Sequence, residues 1–181
     1  LQALGYVLIY PENHAALCGA RKMGAELCQA AEDEGYSKDL CSYVRTDLGS
    51  IATGKTPAGK LPPPDLLLCC TNICQTVKYW YEVLADHFDV PLVVIDTPFL
   101  YDQAHDHQLE YVRRQLEEEL MPTAERVAGR LLTDRALLKT TDEAQAASRL
   151  WCEILERSQT RPAPMTAFDG FLLMGPIVAM R

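Results

Sequence analysis

No apolar run in this 181-residue chain approaches the roughly 20 residues that a membrane helix needs; the longest lies around Leu66 to Cys70, and no membrane-spanning helix is expected. An excess of positive charge is lacking too: 17 Lys and Arg stand against 25 Asp and Glu, a net charge of −8, with the basic residues scattered. Nucleic-acid binding calls for a basic patch that neutralises phosphates, so that partner class is excluded, and any anionic ligand must be met locally. No signal peptide is evident, and the cysteines number seven, which is odd. A framework of structural disulfides in a short secreted domain usually leaves an even count, so a reducing cytoplasm is the expected location. Repeats and low-complexity tracts are also missing. What is there, 48% apolar and 23% charged residues, suffices at this length for one well-buried globular domain.

Three short runs, Tyr6 to Tyr10, Leu66 to Cys70 and Leu92 to Asp96, are continuously apolar rather than alternating, the mark of strands covered on both faces. Helical patterns lie between and after them, at His14 to Gly35, Thr76 to Asp89, His107 to Leu132 and Thr141 to Ser158. This order predicts an α/β fold with a Rossmann-like parallel sheet flanked by helices. The stretch from Gly49 to Pro64, rich in Gly and Pro, reads as a loop. In parallel α/β sheets ligands bind at the carboxyl ends of the strands. Glu12, Asn13 and His14, then Thr71 to Cys74, then Asp96 and Thr97 follow the three runs and are expected to converge on one cleft.

Two thiols stand out at the starts of helical segments: Cys41, in Leu40-Cys41-Ser42-Tyr43, and Cys74, in Cys69-Cys70-Thr71-Asn72-Ile73-Cys74-Gln75. The N–H groups of a helix N-terminus carry partial positive charge and favour a thiolate, which makes the sulfur a better ligand or nucleophile. The competing reading is that a buried cysteine is a small hydrophobe. Placement at helix starts favours ligands for Cys41 and Cys74, whereas Cys18, Cys28 and Cys152 lie on helical patterns and are expected in the core. Of Cys69 and Cys70, inside a strand, one is expected in the core and the other against a helix. A closed zinc site wants four ligands, and an iron–sulfur cluster takes thiolates from separated loops. Two thiols complete neither, so further ligation is expected from outside the chain. Glu12 has two readings: a carboxylate favoured by a helix N-terminus, or a general acid or base facing the cleft. Asn13 and His14 read as capping or supporting groups, and Asp96 as a cap on the turn before Pro98.

Gly49-Ser50-Ile51-Ala52-Thr53-Gly54-Lys55-Thr56 fits the phosphate-loop pattern G-x-x-x-x-G-K-[ST], and the apolar strand ending in Asp96 adds to the likeness. A phosphate loop, however, runs from a strand into a helix that Lys-Ser/Thr opens. Here Arg45, Thr46 and Asp47 make a poor buried strand upstream, and Pro57, Gly59 and Pro62 to Pro64 leave no room for a helix downstream. Nucleotide hydrolysis at Gly49 to Thr56 is the remotest reading.

Taken together, Pro11-Glu12-Asn13-His14-Ala15-Ala16, Gly35 through Cys41-Ser42-Tyr43-Val44-Arg45, Pro64-Asp65-Leu66 through Cys74-Gln75, and Val90-Pro91-Leu92 through Pro98-Phe99 resemble the family of 2-hydroxyacyl-CoA dehydratases and benzoyl-CoA reductases. Its core signal is a first cysteine at a Cys-Ser-Tyr-like helix start and a second, 33 positions on, after a Pro-Asp strand. The dehydratases commonly carry Asp after the second cysteine; Gln75 departs from this and favours the branch of ATP-dependent benzoyl-CoA reductases, whose cluster-bearing small subunits look closest. The resemblance implies a [4Fe–4S] cluster held by Cys41, Cys74 and a third cysteine outside this chain, a place that Cys152 does not occupy. It also implies a homologous partner subunit, a separate ATP-hydrolysing activator with ferredoxin as electron donor, and an acyl-CoA substrate. One-electron reduction of an aromatic acyl-CoA is the first expectation, with Glu12 handling the accompanying protons. Ketyl-radical elimination of water from a 2-hydroxyacyl-CoA is the alternative. Residues 1–160 would form the cluster-binding domain, the first of two similar domains, and 161–181 the start of a connection to the second; both ends of the chain are expected to lie inside a longer subunit.

Overall fold

A computed structural model of the protein describes residues 1–59 and 61–179, in which the chain forms two compact units, Pro11–Val127 and Leu1–Tyr10 with Ala128–Arg181. The first unit holds the sheet. It begins with α1 (Pro11–Ala20), α2 (Gly24–Asp33) and α3 (Ser42–Thr53). There follow β1 (Leu67–Cys70), α4 (Gln75–Phe88) and β2 (Leu92–Ile95), a right-sized crossover in which β1 and β2 pair in parallel from Leu67 opposite Leu92 to Cys70 opposite Ile95. The α/β class is therefore as expected. The sheet has two strands among the described residues, not three: Tyr6 to Tyr10 is not a strand, and Val7 is 88% exposed. An apolar run becomes a strand only where a neighbouring backbone offers a ladder, and that segment has none among the described residues.

One cluster forms the core of this unit: Ala31 from α2, Val44 and Leu48 from α3, Leu67 and Cys69 from β1, and Val77, Trp80, Tyr81 and Leu84 from α4. The α4 residues recur at helical spacing and make a single apolar stripe, each large side chain contributing about 1.5–3 kcal/mol by burial. Helices α2 and α3 approach so closely that a Cβ on Gly49 would lie 1.8 Å from the carbonyl oxygen of Leu27, which explains a glycine in the middle of a helix. Arg45 of α3 pairs with Glu32 of α2 across the same contact. The segment expected as a loop from Gly49 is thus helical as far as Thr53.

After β2 come α5 (Asp106–Gln115), a π-helical turn (Leu116–Leu120) and α6 (Met121–Ala128) without a break, close to the helix expected from His107 to Leu132. Arg113 bridges Glu110 and Glu117 on the exposed face, a solvated surface as the charge pattern implies.

In the second unit, α7 (Asp134–Arg157) is capped at its N-terminus by Thr133, whose side chain accepts from the Ala136 N–H at 3.2 Å, and α8 (Ala167–Ala179) follows. Arg130 donates to the Leu4 carbonyl, anchoring the short 3-10 turn Gln2–Leu4 in this unit. Cys152 is exposed on α7, so the expectation of a core position fails for it. The end of the run expected to lead onward, Met180 and Arg181, lies outside the described residues.

Candidate functional site

Cys41 and Cys74 are the N-cap residues of α3 and α4, and both are exposed. Neither side chain makes a capping hydrogen bond to its helix. Both backbones are extended there, with ψ of 134° and 142°, so each chain turns into its helix at the cysteine. The expected placement of both thiols at helix starts is met. Among the described residues, no group of three or more His, Cys, Asp and Glu could hold a metal ion.

The other cysteines differ from these two. Cys18 and Cys69 are buried, and burial pushes both thiols up, which holds them protonated and makes them poor ligands. Cys70 is half-buried beside Cys69. Cys28 is half-buried, 3.5 Å from Thr46 Oγ1 and 3.7 Å from the Ser42 carbonyl.

Glu12 lies half-buried in the first turn of α1, which Pro11 opens, where the helix dipole favours a carboxylate. The Tyr81 hydroxyl of α4 donates to Glu12 Oε2 at 3.4 Å. Burial first, and then the Glu12 charge, push the Tyr81 phenol well above its ordinary range, so it remains a donor.

Beside Glu12, His14 is buried and uses both ring nitrogens. Nδ1 donates to Asp47 Oδ1 at 3.0 Å, and Nε2 lies 2.9 Å from Thr56 Oγ1 and 3.5 Å from Cys18 Sγ. Asp47 Oδ2 accepts from Trp80 Nε1 at 3.1 Å. Sequence reasoning missed this network: Asp47 counted only against a strand, and Trp80 is 33 residues further on. A histidine and an aspartate at buried helical positions are the one signal that could have found it.

At the carboxyl ends of the strands, the Thr71 hydroxyl donates to Asp96 Oδ1 at 2.6 Å, Thr97 N–H donates to Thr71 Oγ1 at 3.0 Å, and the Tyr111 hydroxyl donates to Asp96 Oδ2 at 2.7 Å. The Gln115 amide bonds both the N–H and the C=O of Asp96, at 2.7 and 2.9 Å. The donors from Thr71, then Tyr111, hold the Asp96 carboxyl below the usual aspartate range. So Thr71, Asp96 and Thr97 do converge, while the hydrogen bond of Glu12 goes to Tyr81 of α4 instead.

The phosphate-loop pattern is not a phosphate loop. Its first five residues end α3, Gly54 is the left-handed C-cap, Lys55 pairs with Glu26, and Thr56 contacts His14. A phosphate site needs a helix that begins there, whereas here one finishes.

Residues 1–181 match the family described as 2-hydroxyglutaryl-CoA dehydratase, D-component. The chain belongs to this family. It is 38% identical over 176 residues to the (R)-2-hydroxyisocaproyl-CoA dehydratase alpha subunit of Clostridioides difficile, covering 96% of this chain and 43% of the relative. Identity to the (R)-phenyllactyl-CoA dehydratase alpha subunit of Clostridium sporogenes is 31% over 179 residues, 98% of this chain and 44% of the relative. A benzoyl-CoA reductase subunit of Thauera aromatica is 34% identical over 173 residues, 92% of this chain and 40% of the relative. The dehydratase-family chain thus spans less than half the length of these relatives. Their names fall more on the dehydratase side than the Gln75 departure suggests, a shift from the first expectation of a reductase.

Proposed function

We propose that this chain is part of a subunit of a 2-hydroxyacyl-CoA dehydratase, with Cys41 and Cys74 as two ligands of a [4Fe–4S] cluster and Glu12 as the carboxylate that handles the proton. The observation that carries this reading is the pair of exposed thiols at the N-caps of α3 and α4, two helices that share one core. Asp47 and Trp80, hydrogen-bonded to each other, each lie six residues beyond their cysteine. Thiolates are the usual ligands of such clusters, so the donor set fits, with a third cysteine from outside this chain.

When bound, the cluster would supply single electrons at low potential, delivered by an ATP-hydrolysing activator that ferredoxin reduces. The same proposal includes a homologous partner subunit. Elimination removes hydroxide from Cα of the acyl-CoA and a proton from Cβ; the electron that enters to expel hydroxide leaves again, so the reaction is redox-neutral overall. Tyr81 O–H occupies Glu12 Oε2, which leaves Oε1 as the oxygen to take up or return the proton. Half-burial of Glu12 limits exchange of that proton with bulk water.

The second reading, reduction of an aromatic acyl-CoA, is supported by the likeness to the benzoyl-CoA reductase of Thauera aromatica and by Gln75 after the second cysteine. The two differ in stoichiometry: elimination recycles its electron, and reduction consumes one donor equivalent per electron. The test uses the whole subunit with its partner and activator, purified without oxygen and supplied with limiting reductant. The expected result is about four irons fewer in Cys41→Ser and in Cys74→Ser than in wild type, and enoyl-CoA formed by wild type well in excess of the reductant. Product from benzoyl-CoA in proportion to reductant would establish the second reading. Iron indifferent to both substitutions overturns both.

A further inference from the structure

We infer that Asp47 is a positioning residue for this site, its carboxylate tying together the three helices that carry Glu12, Cys41 and Cys74. The inference rests on the cluster reading above. Asp47 is 5% exposed, and both of its oxygens are used. Oδ1 holds His14 of α1, two residues beyond Glu12, and Oδ2 holds Trp80 of α4, six residues beyond Cys74. Asp47 itself lies six residues beyond Cys41 in α3. Tyr81, next to Trp80, bonds Glu12 and closes the circuit from α4 back to α1.

The polarity of the network is self-consistent. The Asp47 carboxylate only accepts, so Nδ1 carries the hydrogen it receives. The Thr56 oxygen accepts from the Ala58 N–H at 3.2 Å and lies 2.9 Å from His14 Nε2. Stability alone does not account for a carboxylate here. Its helix neighbours Val44 and Leu48 are core residues, and well-packed apolar replacements of buried ionic groups are often neutral or stabilising. What an apolar residue cannot supply is direction, because hydrogen bonds at 3.0 and 3.1 Å fix rotation and level of α1 and α4 against α3 where packing tolerates sliding.

The test compares Asp47→Leu, Trp80→Phe and Asp47→Asn with wild type in the intact complex, without oxygen. It follows iron release to a chelator, the EPR signal of the reduced cluster and thermal melting. Asp47→Leu and Trp80→Phe are expected to release iron about tenfold faster at temperatures far below melting, the scale of a lost supporting contact at a metal site. Asp47→Asn keeps a carbonyl for Trp80 N–H but turns its NH2 toward His14 Nδ1–H, so release between wild type and Asp47→Leu is expected. Where Asp47→Leu does not fold, Trp80→Phe, which loses a single hydrogen bond, decides. Wild-type release from a folded Trp80→Phe protein overturns the positioning role. Wild type whose iron does not depend on Cys41 and Cys74 removes the cluster reading and this inference with it, a failure visible without any Asp47 or Trp80 variant.

Discussion

Helices α3 and α4 both begin at an exposed cysteine and end at a left-handed residue, Gly54 with φ 68° and Asp89 with φ 52°, yet they are held by different forces. Helix α4 buries Val77, Trp80, Tyr81 and Leu84, an apolar stripe. Helix α3 buries Val44 and Leu48 together with Thr46, Asp47, Gly49 and Ser50. An apolar stripe gains from contact in any nearby register, whereas a buried polar face is stable only where each group meets its partner. The difference teaches that α4 is held by an apolar stripe and α3 by buried polar groups that also fix its register.

Trp80→Ala breaks the α4 side of this comparison and has the largest expected effect, a loss of about 4 kcal/mol in chemical denaturation, since it empties a side chain that is 2% exposed. Gly49→Ala attacks α3 instead. Its new methyl would meet the Leu27 backbone, so a cost of about 3 kcal/mol is expected despite the roughly 1 kcal/mol by which Ala favours a helix. Stabilisation by Gly49→Ala would show that the close approach of α2 and α3 does not hold in solution. The two C-caps sharpen the contrast: Gly54→Ala is expected to cost about 1 kcal/mol and Asp89→Gly to gain about half of that, both read as shifts in melting temperature.

The smallest effect concerns acid. The folded-state carboxyl of Asp96 titrates lower than in the unfolded chain, so its contribution is complete above the unfolded value and is lost as pH falls through the folded one. Because Asp96 is exposed, Asp96→Asn should flatten the acid limb of stability only slightly, below the ordinary aspartate range. An unchanged acid limb would mean that the Thr71 and Tyr111 hydrogen bonds are not kept in solution.

Legibility followed the same division. Thr76 to Asp89 was readable as a helix and is found at Gln75–Phe88, because its apolar residues recur at helical spacing. Leu66 to Cys70 and Leu92 to Asp96 were readable as strands, and Cys41 and Cys74 as helix starts. The body of α3 was not, since Thr46, Asp47, Gly49 and Ser50 interrupt the apolar period and resemble a turn. The run Tyr6 to Tyr10 erred the other way, as composition proposes a strand and cannot supply its ladder.

By itself, the sequence determined the α/β class, the parallel pair around α4, the two helix-capping thiols and the family, all of which rest on local spacing or on residues in contiguous motifs. Only the tertiary structure decided that Asp47 meets both His14 and Trp80, that Tyr81 holds Glu12 from 69 residues away, and that Gly49 admits the Leu27 backbone rather than a phosphate. Each of these depends on which faces meet once the helices pack, and a hydrogen bond between distant residues has a direction and a length that no local pattern encodes.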